Sequence, residues 1–210
     1  MTDSESSRFV GEPEAECLFL AVLGGRSGRC HLELHDVRFV AGRTIEETFP
    51  ALCSQWFGSR KGLHLDAWMK VHAIDGWSVS LVQQPQAPSS ERLWFVNLGG
   101  YLPDSLAELH HFGLVVATSS QAAVARAKGL WLRHAQQRHR DDLWEMDDCL
   151  LIDQLDLLSS GTRYVQLLPH PQGLNQRQVP DWCGYRPIHH DGRSRPLLPS
   201  QPLPPFRSSS

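Results

Sequence analysis

The chain contains an internal repeat, and this feature constrains its fold more than any other. Residues 18–66 match residues 93–141 without a gap when the sequence is shifted by 75 positions. The match contains eleven identities, where composition alone would give about three. The identities form short blocks: Leu23-Gly24-Gly25 with Leu98-Gly99-Gly100, Glu33-Leu34-His35 with Glu108-Leu109-His110, Trp56 with Trp131, and His64-x-Asp66 with His139-x-Asp141. Such self-similarity indicates two copies of one structural unit.

The hydrophobic pattern of each copy predicts the order strand-strand-helix-strand-strand. The continuous apolar run Cys17–Leu23 is typical of a strand buried on both faces, and Gly24-Gly25 is expected to end it. A second strand is predicted over 31–40. Residues 63–74 alternate as one half-buried strand, with Leu63, Leu65, Ala67, Met69, Val71 and Ala73 on a single face.

The helix of the first copy is predicted over 44–58, after a capping box formed by Thr44 and Glu47. Pro50 falls in its interior, so the helix either kinks there or begins late with Thr48 as its cap. The second copy has Ala125 at the matching position, which favours the longer, kinked helix.

Asp75-Gly76 predicts a type I′ turn into a strand over 77–82. We therefore expect an α+β protein of two pseudo-symmetric repeats, in which antiparallel sheets pack against helices. Because neither repeat can bury much surface alone, the two repeats are expected to pack on one another.

Composition divides the chain into five segments. They are a disordered lead-in at 1–16, repeat one at 17–84, a linker at 85–91, repeat two at 92–168, and a Pro-rich, mostly disordered tail at 169–210. Within the tail, the apolar side chains of Pro180–Ile188 are expected to dock on the body of the protein.

Charge and cysteine content argue against several classes of protein. The net charge is −3 and Lys and Arg form no dense cluster, so no nucleic-acid partner is expected. The longest apolar run is too short to span a bilayer and the start of the chain does not resemble a signal peptide, so no membrane partner is expected. The five cysteines are scattered, without a Cys-x-x-Cys pair, which indicates neither a zinc ribbon nor a disulfide framework. By elimination, we expect a cytoplasmic protein without a cofactor.

Several short motifs of the first copy resemble one bacterial family. The motifs are Leu-Gly-Gly, Glu-Leu-His-Asp-Val-Arg-Phe-Val, Gln-Trp-Phe-Gly and Leu-His-Leu-Asp, and the family is the domain-of-unknown-function family numbered 1543. The resemblance covers residues 17–168 and implies one or two copies of a short domain. Copy two departs from it at His111-Phe112-Gly113, where copy one has Asp36-Val37-Arg38. The family carries no known activity, so the resemblance implies no functional residue.

The two copies share a set of histidines and carboxylates of the kind that binds metals or acts in acid–base catalysis. The set consists of Glu33, His35, His64 and Asp66 in copy one, and Glu108, His110, His139 and Asp141 in copy two. The competing interpretation is structural, because diverged copies retain folding residues first, whereas one active site needs only one copy. We expect the pairs to bond to the backbone or to each other without converging, so no metal site is predicted.

A second candidate is the glycine-rich stretch Gly24-Gly25-Arg26-Ser27-Gly28-Arg29. Backbone N–H groups in a glycine-rich turn bind anions, and Arg26 and Arg29 stand beside it. However, the spacing fits neither nucleotide-binding fingerprint. The alternative is a simple turn at the exit of a strand.

Three classes of function remain open. No Gly-x-Ser-x-Gly elbow or recognisable cysteine nucleophile motif is present, so we favour a non-enzymatic binding or interaction module over an enzyme. Its partner would be another protein or a small ligand at the repeat interface. The alternative is a metal-dependent enzyme that uses the His/carboxylate set, and the third class is an anion-binding module at Gly24–Arg29.

Overall fold

The computed structural model describes residues 15–85, 87, 89–101, 106–131, 144–157 and 161–188. Its strands and helices are β1 Cys17–Arg26, β2 Leu34–Gly42, α1 Phe49–Gln55, β3 Ser59–Val71, β4 Ala73–Ile74, β5 Trp77–Val82, β6 Arg92–Gly100, β7 Leu109–Ala117, α2 Ser120–Trp131, β8 Trp144–Leu151, β9 Gln154–Leu157, β10 Gly161–Pro169 and β11 Trp182–Pro187. The strand pairs in the described ranges are antiparallel. The predicted α+β class with antiparallel sheets is therefore confirmed.

The strands form three sheets, which we call A, B and C. Sheet A has the order β11-β3-β1-β2, sheet B has the order β4-β5-β10-β9, and sheet C has the order β7-β6-β8. In sheet A, β1 lies between β2 and β3, which belong to the same half of the chain. In sheet C, β6 lies in the same way between β7 and β8. Sheet B joins the two halves, because β5 pairs with β10.

The side chains on both faces of β1 are buried, as its apolar sequence predicts. Leu18 and Leu20 enter the core between sheets A and C, whereas Phe19 and Leu23 pack on the side of α1. The strand does not end at Gly24-Gly25 but continues to Arg26. The reason is that these glycines make room for neighbouring side chains within the sheet and do not form a turn.

The long kinked helix predicted over 44–58 is wrong, and the later start is correct. A 3-10 turn covers Glu46–Thr48, Thr48 is the N-cap of α1, and Pro50 lies in the first turn of the helix. Proline is tolerated there because the first N–H groups of a helix have no partner within it. Thr44 accepts a hydrogen bond from the Glu47 N–H at 3.4 Å, so the predicted capping contact precedes the 3-10 turn.

The single-face prediction for residues 63–74 is also wrong, because β3 contains a β-bulge. Leu23 pairs with Leu65 but Val22 pairs with Ala67, so Asp66 is the extra residue. Before the bulge, Leu65 packs towards α1; after it, Met69 packs into the core between the sheets. One extra residue therefore reverses which face of the strand is buried.

The main core lies between sheets A and C, with helices outside them. Phe39 of β2 meets Phe95 of β6 edge-on at 5.4 Å between ring centroids, and Val79 of sheet B packs into the same core. Helix α1 covers the outer face of sheet A and α2 covers the outer face of sheet C. Neither α1 nor α2, the two α-helices in the described ranges, has the length and apolar character needed to cross a membrane.

The type I′ turn predicted at Asp75-Gly76 is confirmed, and it also joins the two halves. Both residues have positive φ, 53° and 84°. The carboxylate of Asp75 accepts hydrogen bonds from the Val116 N–H at 2.9 Å and from Arg126 Nε at 2.6 Å. Asp75 thus holds the first half against β7 and α2 of the second.

The segment after β10 runs along two sheet edges and ends in β11, which pairs with β3. The docking predicted for Pro180–Ile188 is therefore found. Gln176 bonds to the backbone of β3 and its neighbours, and Gln178 Oε1 and Nε2 bond to the N–H and C=O of Leu114 in β7, each at 2.7 Å. Residues 189–210 of the predicted tail, and 1–14 of the lead-in, lie outside the described residues.

Candidate functional site

A first polar cluster lies at the end of β1, where Gly24 leaves room for it. It consists of Glu33, His35, His64 and Asp66, and a Cβ added at Gly24 would lie less than 3.0 Å from atoms of both His64 and Asp66. His64 Nε2 is 3.1 Å from Asp66 Oδ1 and 3.7 Å from Glu33 Oε1, while His35 Nε2 is 3.3 Å from Asp66 Oδ2. The expectation that the two pairs do not meet is therefore wrong. The bulge at Asp66 brings this about, because it turns the carboxylate towards both histidines.

His64 is the fixed member of this first cluster. Its side chain is 1% exposed, its Nδ1 is 2.8 Å from the carbonyl oxygen of Gly62, and its ring lies on that of Tyr185 with centroids 4.0 Å apart. A carbonyl oxygen only accepts hydrogen bonds, so Nδ1 carries a hydrogen and Nε2 is the atom turned towards the carboxylates. By contrast, Glu33 and His35 are 41% and 55% exposed and are free to adjust.

Asp66 lies between the two histidines, with one carboxylate oxygen within 3.3 Å of each ring. Burial raises the pKa of its carboxyl group, and the His64 and His35 rings oppose that shift. Its Oδ2 atom is buried and accepts no hydrogen bond of acceptable geometry within the described chain, although His35 Nε2 is only 3.3 Å away. The distance alone therefore overstates the His35 contact, and Oδ2 retains the capacity to accept a hydrogen bond.

A second polar cluster lies at the matching end of β6, beside Gly99. It consists of Asn97, Glu108, His110 and Asp147, and a Cβ at Gly99 would overlap the carboxylates of both Asp147 and Glu108. His110 Nδ1 is 3.0 Å from Asp147 Oδ2, and Asn97 Nδ2 donates to the same oxygen at 3.3 Å. The predicted residues Glu108 and His110 are thus part of a cluster, together with two residues that were not predicted.

The other two predicted members of the second copy, His139 and Asp141, lie outside the described residues. The acidic residue beside Gly99 is instead Asp147 of β8. It is the extra residue of a bulge in β8, since Leu98 pairs with Met146 and Asn97 with Asp148. In the described ranges, no group of three or more His, Cys, Asp or Glu side chains is arranged to hold a metal ion.

The glycine-rich turn expected at Gly24–Arg29 is not formed over its first half. Gly24, Gly25 and Arg26 belong to β1 and pair with β3 or β2, so their backbones are engaged in the sheet. The Asp66 carboxylate also lies next to Gly24, where it would repel an anion. Arg29 is exposed in the loop that follows.

A cleft of about 280 Å³ between sheets A and C connects the two clusters. His35 stands on its sheet A wall and His110 on its sheet C wall. Other polar residues on the walls are Asp36, Arg38, Asn97 and Asp148. Phe39, Phe95 and Phe112 form part of its lining.

Two residues that line this cleft carry buried polar atoms without a partner in the described chain. These atoms are Arg38 Nε and Asn97 Oδ1. Buried polar atoms are nearly always bonded, so each exception calls for an explanation. The cleft walls therefore carry one acceptor and one donor that the described part of the chain does not satisfy.

Sequence reasoning missed Arg38, Asn97 and Asp147. Arg38 and Asn97 could not be identified from the repeat, because the residues aligned with them in the other copy, Gly113 and Val22, are apolar. A signal for Asp147 existed in the acidic pair Asp147-Asp148, but the ungapped alignment assigned its role to Asp141.

Comparison with known proteins agrees with the repeat. The model of the family described as Domain of Unknown Function (DUF1543) matches residues 30–81 and again residues 105–157. No curated protein matches the chain. A protein Il1583 from Idiomarina loihiensis has a similar crystal structure, with a TM-score of 0.63 and 36% sequence identity over 83% of this chain and 98% of that one. On this evidence, the chain belongs to the DUF1543 family and carries two copies of its domain.

Proposed function

We propose that this protein binds a small amine in the cleft between sheets A and C, as a non-enzymatic binding module. The observation that carries the proposal is that His35 and His110, one from each half of the chain, stand on opposite walls of one cleft. Each lies beside a carboxylate of its own cluster: His110 Nδ1 is 3.0 Å from Asp147 Oδ2, and His35 Nε2 is 3.3 Å from Asp66 Oδ2. A ligand between the walls would contact both halves.

Charge selects the class of ligand. The cleft and the two clusters contain six carboxylates, namely Glu33, Asp36, Asp66, Glu108, Asp147 and Asp148. The arginine, Arg38, is paired with Asp36 at 2.5 Å. An ammonium group offers three donors and a positive charge, which suits the unbonded acceptor Asn97 Oδ1 and the Asp148 carboxylate on the cleft walls. An oxygen acceptor beside the amine would satisfy Arg38 Nε, so ethanolamine is the minimal probe.

We also propose that the two halves are pseudo-symmetric repeats, spanning 17–84 and 92–168, with 85–91 as a linker and 169–210 as a tail. The matching orders β2-β1-β3 and β7-β6-β8 support this arrangement. So do the two bulges at Asp66 and Asp147 and the glycines that face them, Gly24 and Gly99. A site on the axis between repeats would be built from both, as the cleft is.

Isothermal titration of the full chain with ethanolamine tests the proposal. His35→Ala and His110→Ala should each weaken binding, because each removes one wall of the site. His72→Ala is the matched control, since His72 is exposed outside the cleft. Absence of binding, or binding unaffected by both cleft variants, would refute the proposed function.

A metal-dependent function is the second candidate, and the orientation of His64 is what favours it. Its Nδ1 is bonded to a backbone carbonyl, an arrangement that commonly directs the other ring nitrogen to a metal. Titration with Zn²⁺ separates the candidates: stoichiometric binding lost in His64→Ala would support a metal site. Unchanged weak binding in that variant would remove this alternative.

For the location, we propose the cytoplasm. The thiols of all five cysteines are free, which suits a reducing compartment.

A further inference from the structure

A second cavity lies next to the cleft. This apolar groove has a volume of about 240 Å³ and is lined by Leu20, Val22, Met69, Phe112, Val179 and Pro180 among others. Val22 and Phe112 line both the groove and the cleft. The two cavities are therefore neighbours that share a wall.

The groove offers almost no polar group to a ligand. Gln178 lines it, but both ends of its amide are bonded to the backbone of Leu114 at 2.7 Å. Trp68 also lines it, and its indole N–H makes no hydrogen bond within the described residues. The Trp68 ring, however, packs edge-on against Phe19 on the α1 side of sheet A. The remaining side chains named above are apolar. Transfer of an alkyl group from water into the groove would therefore be favourable and would break no hydrogen bond of the protein. A charged or strongly polar group would be excluded for the same reason.

We infer that the ligand is amphiphilic: a small amine whose head lies in the cleft and whose alkyl tail lies in the apolar groove. This inference rests on the proposed function and narrows it to one class of molecule. Its basis is that the two cavities are adjacent and differ in character: histidines, carboxylates and other polar side chains make up half of the lining of the cleft, whereas the lining of the groove is mainly apolar. A head in the cleft directs the tail past Val22 and Phe112.

Tail length is the variable that tests the inference. The probes are ethanolamine and its derivatives that carry an ethyl, butyl or hexyl group on the carbon next to the amine. Full burial of a methylene contributes about 0.8 kcal/mol, so Kd should fall about fourfold per methylene until the groove is filled. A Kd that stays within about twofold across the series would overturn the inference, whereas failure of every probe to bind would overturn the proposed function itself.

A groove variant provides the second arm. Ala67 of β3 lines the groove and is half-buried, so Ala67→Leu places a branched side chain in the space of the tail. The readout is the ratio of Kd for ethanolamine to Kd for the butyl derivative. The ratio should collapse towards one in this variant and remain as in the wild type in Ala125→Leu, an exposed position of α2. A ratio that survives Ala67→Leu would place the tail elsewhere and refute the groove assignment.

Discussion

Gly24→Ala probes the packing that holds the first polar cluster together. A methyl group at this position would lie less than 3.0 Å from His64 Nε2, His64 Cε1 and Asp66 Oδ2. The His64 ring cannot retreat easily, because it is buried, bonded to Gly62 and packed against Tyr185. The substitution therefore forces a displacement of the cluster.

Two effects of opposite sign determine the size of the change. Replacing glycine by alanine within a strand favours folding by roughly 0.5–1 kcal/mol, because glycine loses more backbone entropy. Insertion of a carbon into a packed site costs about 1–3 kcal/mol. Since the surroundings of Gly24 are rigid, we expect the second effect to win and the free energy of unfolding to fall by about 1–2 kcal/mol.

Urea denaturation followed by tryptophan fluorescence measures this change. Gly129→Ala is the control, because a Cβ there meets no atom of the described residues within 4 Å apart from its own helix backbone, and we expect it to be neutral or stabilising by up to about 1 kcal/mol. Combining Gly24→Ala with His64→Ala should remove the overlap with the His64 ring and leave only the overlap with Asp66 Oδ2, so the two changes should be non-additive by at least about 1 kcal/mol. Stabilisation by Gly24→Ala, or strict additivity in the double variant, would refute the packing argument.

Two further predictions concern contacts away from the cleft. Burial opposes ionisation of Glu46, but the hydrogen bond and charge of Arg186, together with hydrogen bonds from the Glu46 backbone and Thr44, outweigh burial and lower the pKa of Glu46 below its ordinary value of 4.5. The contribution of the ionised Glu46 to stability is therefore present above pH 4.5 and is lost as pH falls through the lowered pKa. Glu46→Gln should therefore flatten the acid limb of a stability–pH curve, and an unchanged limb would contradict this. Asp75→Ala should lower the free energy of unfolding by about 1–3 kcal/mol, because the Val116 N–H loses its acceptor. Asp75→Asn should cost less, since it retains the acceptor and tolerates positive φ, losing only the charge that faces Arg126; equal costs in urea denaturation would contradict the assignment.

Local features of the fold were predictable from the sequence. The two-sided apolar run of β1 and the Asp75-Gly76 turn depend on neighbouring residues alone, and both were predicted correctly. The position of α1 was not, because Pro50 is compatible with two helix starts and the second copy favoured the wrong one.

Some residues of the polar clusters could be predicted from the sequence, but their arrangement in space could not. His35 and His64 were identified, but their convergence depends on the bulge at Asp66, and a bulge is a property of the pairing between strands. The second copy illustrates the same limit, because the acidic residue beside Gly99 is Asp147, which the ungapped alignment does not match to Asp66.

The most direct test of the account is an NMR titration of the histidine side chains with ethanolamine. The ring signals of His35 and His110 should shift together with one apparent Kd, because the ligand lies between them. Signals of the exposed rings His31 and His72 provide references within the same molecule. If only one of the two cleft histidines responds, or neither does, the cleft between the repeats is not the binding site.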